Sequence, residues 1–206
     1  VIGDEAVRDA LFRVGVAATT DSAMKLVAEA IHGLANNSGT QQLVACVGVR
    51  DVLVRIGQRA RTSAPLPWVA LTFCRLLESV RGVRAFASLV DDAVRDVLVR
   101  AGGCNLEQTR ILACYAVGFV QMYAETGDSL QTSMAVPAVV DVLLANARLG
   151  SACEVEDQPQ LTDALAGSIA HISKCDAGRR LLATEEVRDF PSCVGARPRG
   201  GEVGVH

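Results

Sequence analysis

Val49-Arg50-Asp51-Val52-Leu53-Val54-Arg55 has close copies on both sides of it in the chain. Val7-Arg8-Asp9-Ala10-Leu11-Phe12-Arg13 precedes it and Val94-Arg95-Asp96-Val97-Leu98-Val99-Arg100 follows it. A looser copy reads Val139-Val140-Asp141-Val142-Leu143-Leu144, and a truncated one reads Val187-Arg188-Asp189-Phe190. The aspartates stand at 9, 51, 96, 141 and 189, at intervals of 42, 45, 45 and 48 residues. Chance does not produce such a series. Self-similarity at this period marks supersecondary units that stack on one another.

Between the copies lie longer apolar runs, Ala23 to Ala35, Trp68 to Leu77, Thr109 to Tyr123 and Leu161 to Ser173. Each is followed by a glycine, at Gly39, Gly82, Gly127 and Gly178. The economical unit is a long helix, a glycine-marked turn, a short helix such as Thr40 to Ala45, and a helix opened by the Val-Arg-Asp phrase. The aspartate is expected in the first turn of its helix, where it faces the positive end of the macrodipole. The glycine is expected to end the long helix in a left-handed conformation. Leu26, Ala30 and Leu34, like Leu161, Leu165, Ile169 and Ile172, recur at three- and four-residue spacing, and no unit can bury such a face alone.

On these features the chain resembles the armadillo repeat family from about residue 5 to residue 190, with HEAT repeats as the alternative of similar period. Val117-Gly118-Phe119-Val120-Gln121-Met122-Tyr123-Ala124 is similar to the family's Trp-Ala-Leu-x-Asn-Leu-Ala phrase on its third helix. The resemblance implies an all-α, right-handed superhelical solenoid of about four three-helix units with partial units at the ends. The units start near Val7, Val49, Val94, Val139 and Val187. Residues 1–190 form the repeat domain; residues 191–206, rich in proline and glycine, are expected to be an irregular tail or a linker. The resemblance also implies a concave surface made by the third helices. Its asparagine position falls on Gly33, Arg75, Gln121 and His171, and its tryptophan position on Glu29, Leu71, Val117 and Gly167. Neither family residue is present, so the implied groove does not carry the ladder that clamps extended basic peptides.

Composition narrows the function. Half of the 206 residues are apolar, only 4% are aromatic, and the net charge is −3. There is no general pull toward phosphate backbones, so nucleic acid is not an expected partner. No run of about 18 uncharged apolar residues marks a membrane span, and no hydrophobic leader opens the chain. The start at Val1, inside a motif, suggests a fragment. Seven cysteines without a C-x-x-C pair read as reduced thiols in a cytoplasmic, reducing compartment. Cys74, Cys114 and Cys175 are expected on long helices as packing residues.

His32 and His171 stand in different units without metal-ligand spacing, so no metal or other cofactor is expected. Trp68 reads as an inter-unit packing anchor. Arg55, Arg59 and Arg61 make a basic patch around Ser63; Glu154, Glu156 and Asp157 make an acidic one two units on. No catalytic constellation appears. The sequence therefore points to a non-enzymatic scaffold that binds an extended or helical segment of a protein partner on the concave third-helix surface. The alternative is a structural subunit of a larger cytoskeletal or axonemal assembly, joined end to end. The chain alone would be a monomer or part of such an assembly.

Overall fold

The computed structural model describes residues 5–79, 90–104, 134–152 and 159–183. Among the described residues all regular structure is helical: α1 Glu5–Ala17, α2 Asp21–Ala35, α3 Gln41–Val44, α4 Val47–Arg59, α5 Leu66–Ser79, α6 Asp92–Gly102, α7 Pro137–Ala152, α8 Pro159–Ile172 and α9 Asp176–Leu182. The long runs read from sequence are α2, α5 and α8, and the short one is α3. The run from Thr109 to Tyr123, Gly82, Gly127 and the copy at Val187 lie outside the described residues.

Local chemistry accounts for the helix starts. Thr20 is extended and its hydroxyl accepts the Ala23 N–H at 3.3 Å, opening α2. Asp91 opens α6 by accepting from both Ala93 and Val94 at 3.1 Å. Pro137 and Pro159 are the first residues of α7 and α8, where a missing N–H removes no helical bond.

The phrase aspartates are not in the first turn. Asp9, Asp51, Asp96 and Asp141 are each the fifth residue of their helix, beyond reach of the dipole's end. The first three instead face the arginine before them, at 3.0, 2.7 and 2.7 Å. The glycine expectation is corrected as well. Helix α2 ends on Asn36 in a right-handed conformation, and the Thr40 hydroxyl donates to the Leu34 carbonyl at 2.7 Å. Gly39 merely bonds the Asn37 side chain. Gly178 is inside α9, buried where a Cβ would collide with the Ile172 carbonyl.

The phrase helices pack in chain order, α1 on α4, α4 on α6 and α6 on α7. Each of three also carries its own long helix, as α1 with α2, α4 with α5 and α7 with α8. The most extensive contact joins the long helices α2 and α5. Short helix α3 bridges α1, α2 and α5, and α9 meets α7 as α3 meets α1. One core runs through these layers, with Ile31, Leu53, Phe73, Leu98 and Leu143 at its centre. It is made of many medium-sized side chains, as a low aromatic content requires.

The Val-Arg-Asp phrase proves to be two residues longer than its seven-residue reading. Gly15, Gly57 and Gly102 each stand eight residues after the first valine of a copy, and all are buried. A Cβ on Gly15 would stand 2.5 Å from Val52 Cγ1, and one on Gly57 would collide with Val97 in the same way. Val52 and Val97 are themselves the fourth residues of the next copies. A phrase helix thus receives the following phrase helix against a bare glycine, which lets the two backbones approach closely.

Candidate interaction surface on the long helices

The inward faces of α2 and α5 are set by spacing. Met24, Val27, Ala28 and Ile31 are buried in α2, and Leu66, Val69, Ala70 and Phe73, each 42 residues on, are buried in α5. This leaves Glu29 and Gly33 on the outer part of α2, and Leu71 and Arg75 on the outer part of α5. Glu29 and Leu71 are half-buried, whereas Gly33 and Arg75 are exposed. A Cβ on Gly33 would meet nothing within 4 Å, and the same holds at Gly167 of α8. His171 belongs to α8; Val117 and Gln121 lie outside the described residues.

The structure brings Glu29 and Arg75 together around a residue that sequence reading set aside. His32 projects from α2 against Trp68 of α5, ring centroids 5.6 Å apart and tilted by 51°. Its Nδ1 is buried without a hydrogen-bond partner. Burial holds the imidazole below its ordinary pKa, Arg75 adds to that, and Glu29 opposes it. The ring is thus biased toward its neutral form. Trp68, half-buried against the core, packs between neighbouring long helices. Gln41, the first residue of α3, donates to the Arg75 carbonyl at 3.3 Å and ties the short helix to the same edge.

Other charged groups serve the framework. Asp21, at the start of α2, accepts the backbone N–H groups of Arg61 at 3.0 Å and Thr62 at 2.6 Å. The Thr62 hydroxyl first, then the Arg61 N–H, holds this carboxyl below its ordinary value. Of the basic residues near Ser63, Arg59 and Arg61 are exposed, the Arg61 backbone fastens the α4–α5 loop to α2, and Arg55 is half-buried in α4 with its Nε unbonded. Arg100 donates to the carbonyls of Gly57 at 2.6 Å, Gln58 at 2.8 Å and Ala60, closing the end of α4 from α6. Asn146 of α7 donates to the Gly102 carbonyl at 3.4 Å, a similar contact one joint later. The available signal for both was the recurrence itself, since a side chain near the end of one copy closes the end of the previous one.

Cys74 is buried in α5, but Cys175 is not on a long helix. It precedes α9, and its Sγ accepts the Gly178 N–H at 3.3 Å. Cys46, Cys74, Cys104 and Cys175 form no disulfide; Cys114, Cys153 and Cys193 lie outside the described residues, as do Glu154, Glu156 and Asp157. Among the described residues no three His, Cys, Asp or Glu side chains converge on a metal-sized site, and no helix is long and apolar enough to cross a membrane. No protein-family model, curated protein or solved structure matches the chain.

Proposed function

We propose that this chain is an α-solenoid of armadillo-like units, and that it works without catalysis as a scaffold for a segment of another protein. The segment, extended or helical, lies along the outer surface of the long helices in a reducing, cytoplasmic setting. The observation that carries this reading is the open space at Gly33 of α2 and at Gly167 of α8, together with the exposed Arg75 of α5. These are positions where the armadillo resemblance puts partner contacts. The stacking of α1, α4, α6 and α7 at the sequence period, with α2 on α5 beside them, supports the solenoid.

The Glu29–His32–Arg75 group offers both charge signs and a neutral ring within one short span. That suits a mixed polar and apolar peptide better than a purely basic one. Partner recovery by affinity purification should fall at least about tenfold with Gly33→Arg combined with Arg75→Glu, which fills the open space and inverts the charge. Circular dichroism should show the helices retained, since both positions face solvent and Gly33→Arg removes a glycine from within α2. Equal recovery by wild type and the double variant would move the binding surface off these helices.

A further inference from the structure

We propose that Thr62, in the loop between α4 and α5, is a phosphorylation site for an arginine-directed serine/threonine kinase, and that its phosphate unfastens this loop from α2. The site is independent of the peptide-binding surface, since it lies on a charged loop that the proposed function leaves unused.

Kinases of this class read the charge of the segment they modify, above all an arginine three residues before the target hydroxyl. Of all the serines and threonines in the chain, Thr62 and Ser151 alone have one there, Arg59 and Arg148. Thr62 has Arg61 directly before it as well. Secondary structure separates the two candidates. Ser151 is within helix α7, where the backbone is not free to extend. Thr62 is three residues past the end of α4, and the backbone is already extended at Ala60, with φ −51° and ψ 125°. Arg59, Arg61 and Thr62 are all exposed, whereas Ser63 is half-buried and has Ala60 at the position the arginine must fill. The loop thus offers one hydroxyl and its two basic determinants together.

Asp21 makes this hydroxyl a switch. Its carboxylate accepts the N–H groups of Arg61 at 3.0 Å and Thr62 at 2.6 Å, and the Thr62 hydroxyl donates to it too. The hydroxyl oxygen also accepts the Ala64 N–H at 3.4 Å. The loop therefore has to leave Asp21 before a kinase can take the side chain. In the transfer, Thr62 Oγ1 attacks the γ-phosphorus of a nucleoside triphosphate brought by the kinase. The new O–P bond forms as the bond from that phosphorus to the bridging oxygen breaks; the nucleoside diphosphate leaves, and the hydroxyl proton passes to a carboxylate of the kinase. The product carries about −1.5 to −2 charge where a hydroxyl donated to a carboxylate. Repulsion keeps the loop from returning to Asp21, and the exposed Arg59 and Arg61 are at hand to pair with the phosphate instead.

The test is incubation of the full chain with magnesium ATP and a purified kinase that requires arginine three residues before its target, followed by peptide mass spectrometry. Thr62 should be the principal site, retained in Thr62→Ser and lost in Thr62→Ala. Arg59→Ala should lower the initial rate at least about tenfold. Asp21→Ala should raise it several-fold, because more of the loop is then free. Phosphorylated wild type should melt about 3 °C or more below the unmodified protein. Phosphorylation should not lower the melting temperature of Asp21→Ala any further, since its fastening is already gone. Phosphate found mainly at Ser63 or Ser151, a rate indifferent to Arg59→Ala, or no phosphate at Thr62 in either wild type or Asp21→Ala overturns the site. An unchanged melting temperature after full modification of Thr62 overturns the unfastening.

Discussion

In the joint between α1 and α4, Val52 lies over Gly15; in the joint between α4 and α6, Val97 lies over Gly57. The backbone plan is shared, but the polar fastenings differ. At the second joint Arg50 reaches from α4 to Asp91, the residue that also caps α6. Arg100 then closes the far end of α4 with three carbonyl contacts. At the first joint the counterpart of Asp91 is Cys46, whose side chain caps nothing although Arg8 lies within its electrostatic reach. The counterpart of Arg100 is Arg55, with a buried, unbonded Nε. The first joint has instead Phe12 seated against Gly48 and the Asp21 contacts to the α4–α5 loop. Repetition of sequence therefore conserves the close approach of helices, while single substitutions shift a joint between polar and apolar fastening.

The shared element is the one to break first. Gly57→Val sets a branched side chain against Val97, which is itself stiff about χ1. We expect a loss of about 3 kcal/mol, read as a lowered urea midpoint. Next comes the difference between the joints. Arg100→Met removes charge-assisted bonds to three carbonyls and should cost about 2 kcal/mol. Arg55→Met removes a buried polar atom that bonds nothing and should cost little or stabilise. Equal losses at the two positions would show that the arginines act through their alkyl stems alone.

A smaller effect is expected from making the first joint resemble the second. Cys46→Asp supplies a cap for α4 and a carboxylate for Arg8, and should stabilise by about 1 kcal/mol in thermal denaturation at neutral pH. The last prediction concerns acid. The folded pKa of Asp21 is below its ordinary value of 3.8. Its fastening is therefore complete above that value and is lost as pH falls through the folded value. Asp21→Asn should lower the melting temperature at pH 7 and flatten its dependence on pH below 4. An unchanged slope would assign the acid sensitivity to other carboxylates.

The helices themselves were legible because spacing and punctuation speak locally: α2, α5 and α8 fall within two residues of the apolar runs. The function of the phrase was less legible. Val-Arg-Asp read as a helix start, yet Asp51 lies a full turn in, because Cys46 and Val47 begin the helix earlier than the conspicuous residues suggest. Leu26, Ala30 and Leu34 read as the face that a neighbouring unit covers, but Leu26 and Ala30 are exposed, and the covered face of α2 is Met24, Val27, Ala28 and Ile31. Of the candidate surface, Glu29, Gly33, Leu71 and Arg75 were placed by resemblance; the His32–Trp68 pair between them was not, since the two rings are 36 positions apart in the sequence.

What the sequence by itself determined is the period and the helical class: a phrase returning every 42 to 48 residues, separated by runs with helical spacing, has few other ways to bury its apolar side chains. What only the tertiary structure decided is which side of each helix a neighbour covers. Leu26 and Trp68 occupy the same place in their units, and one is exposed while the other rests on His32. The reason is that burial in a stacked array depends on the adjacent unit, and a residue's own helix carries no record of whether that unit is present.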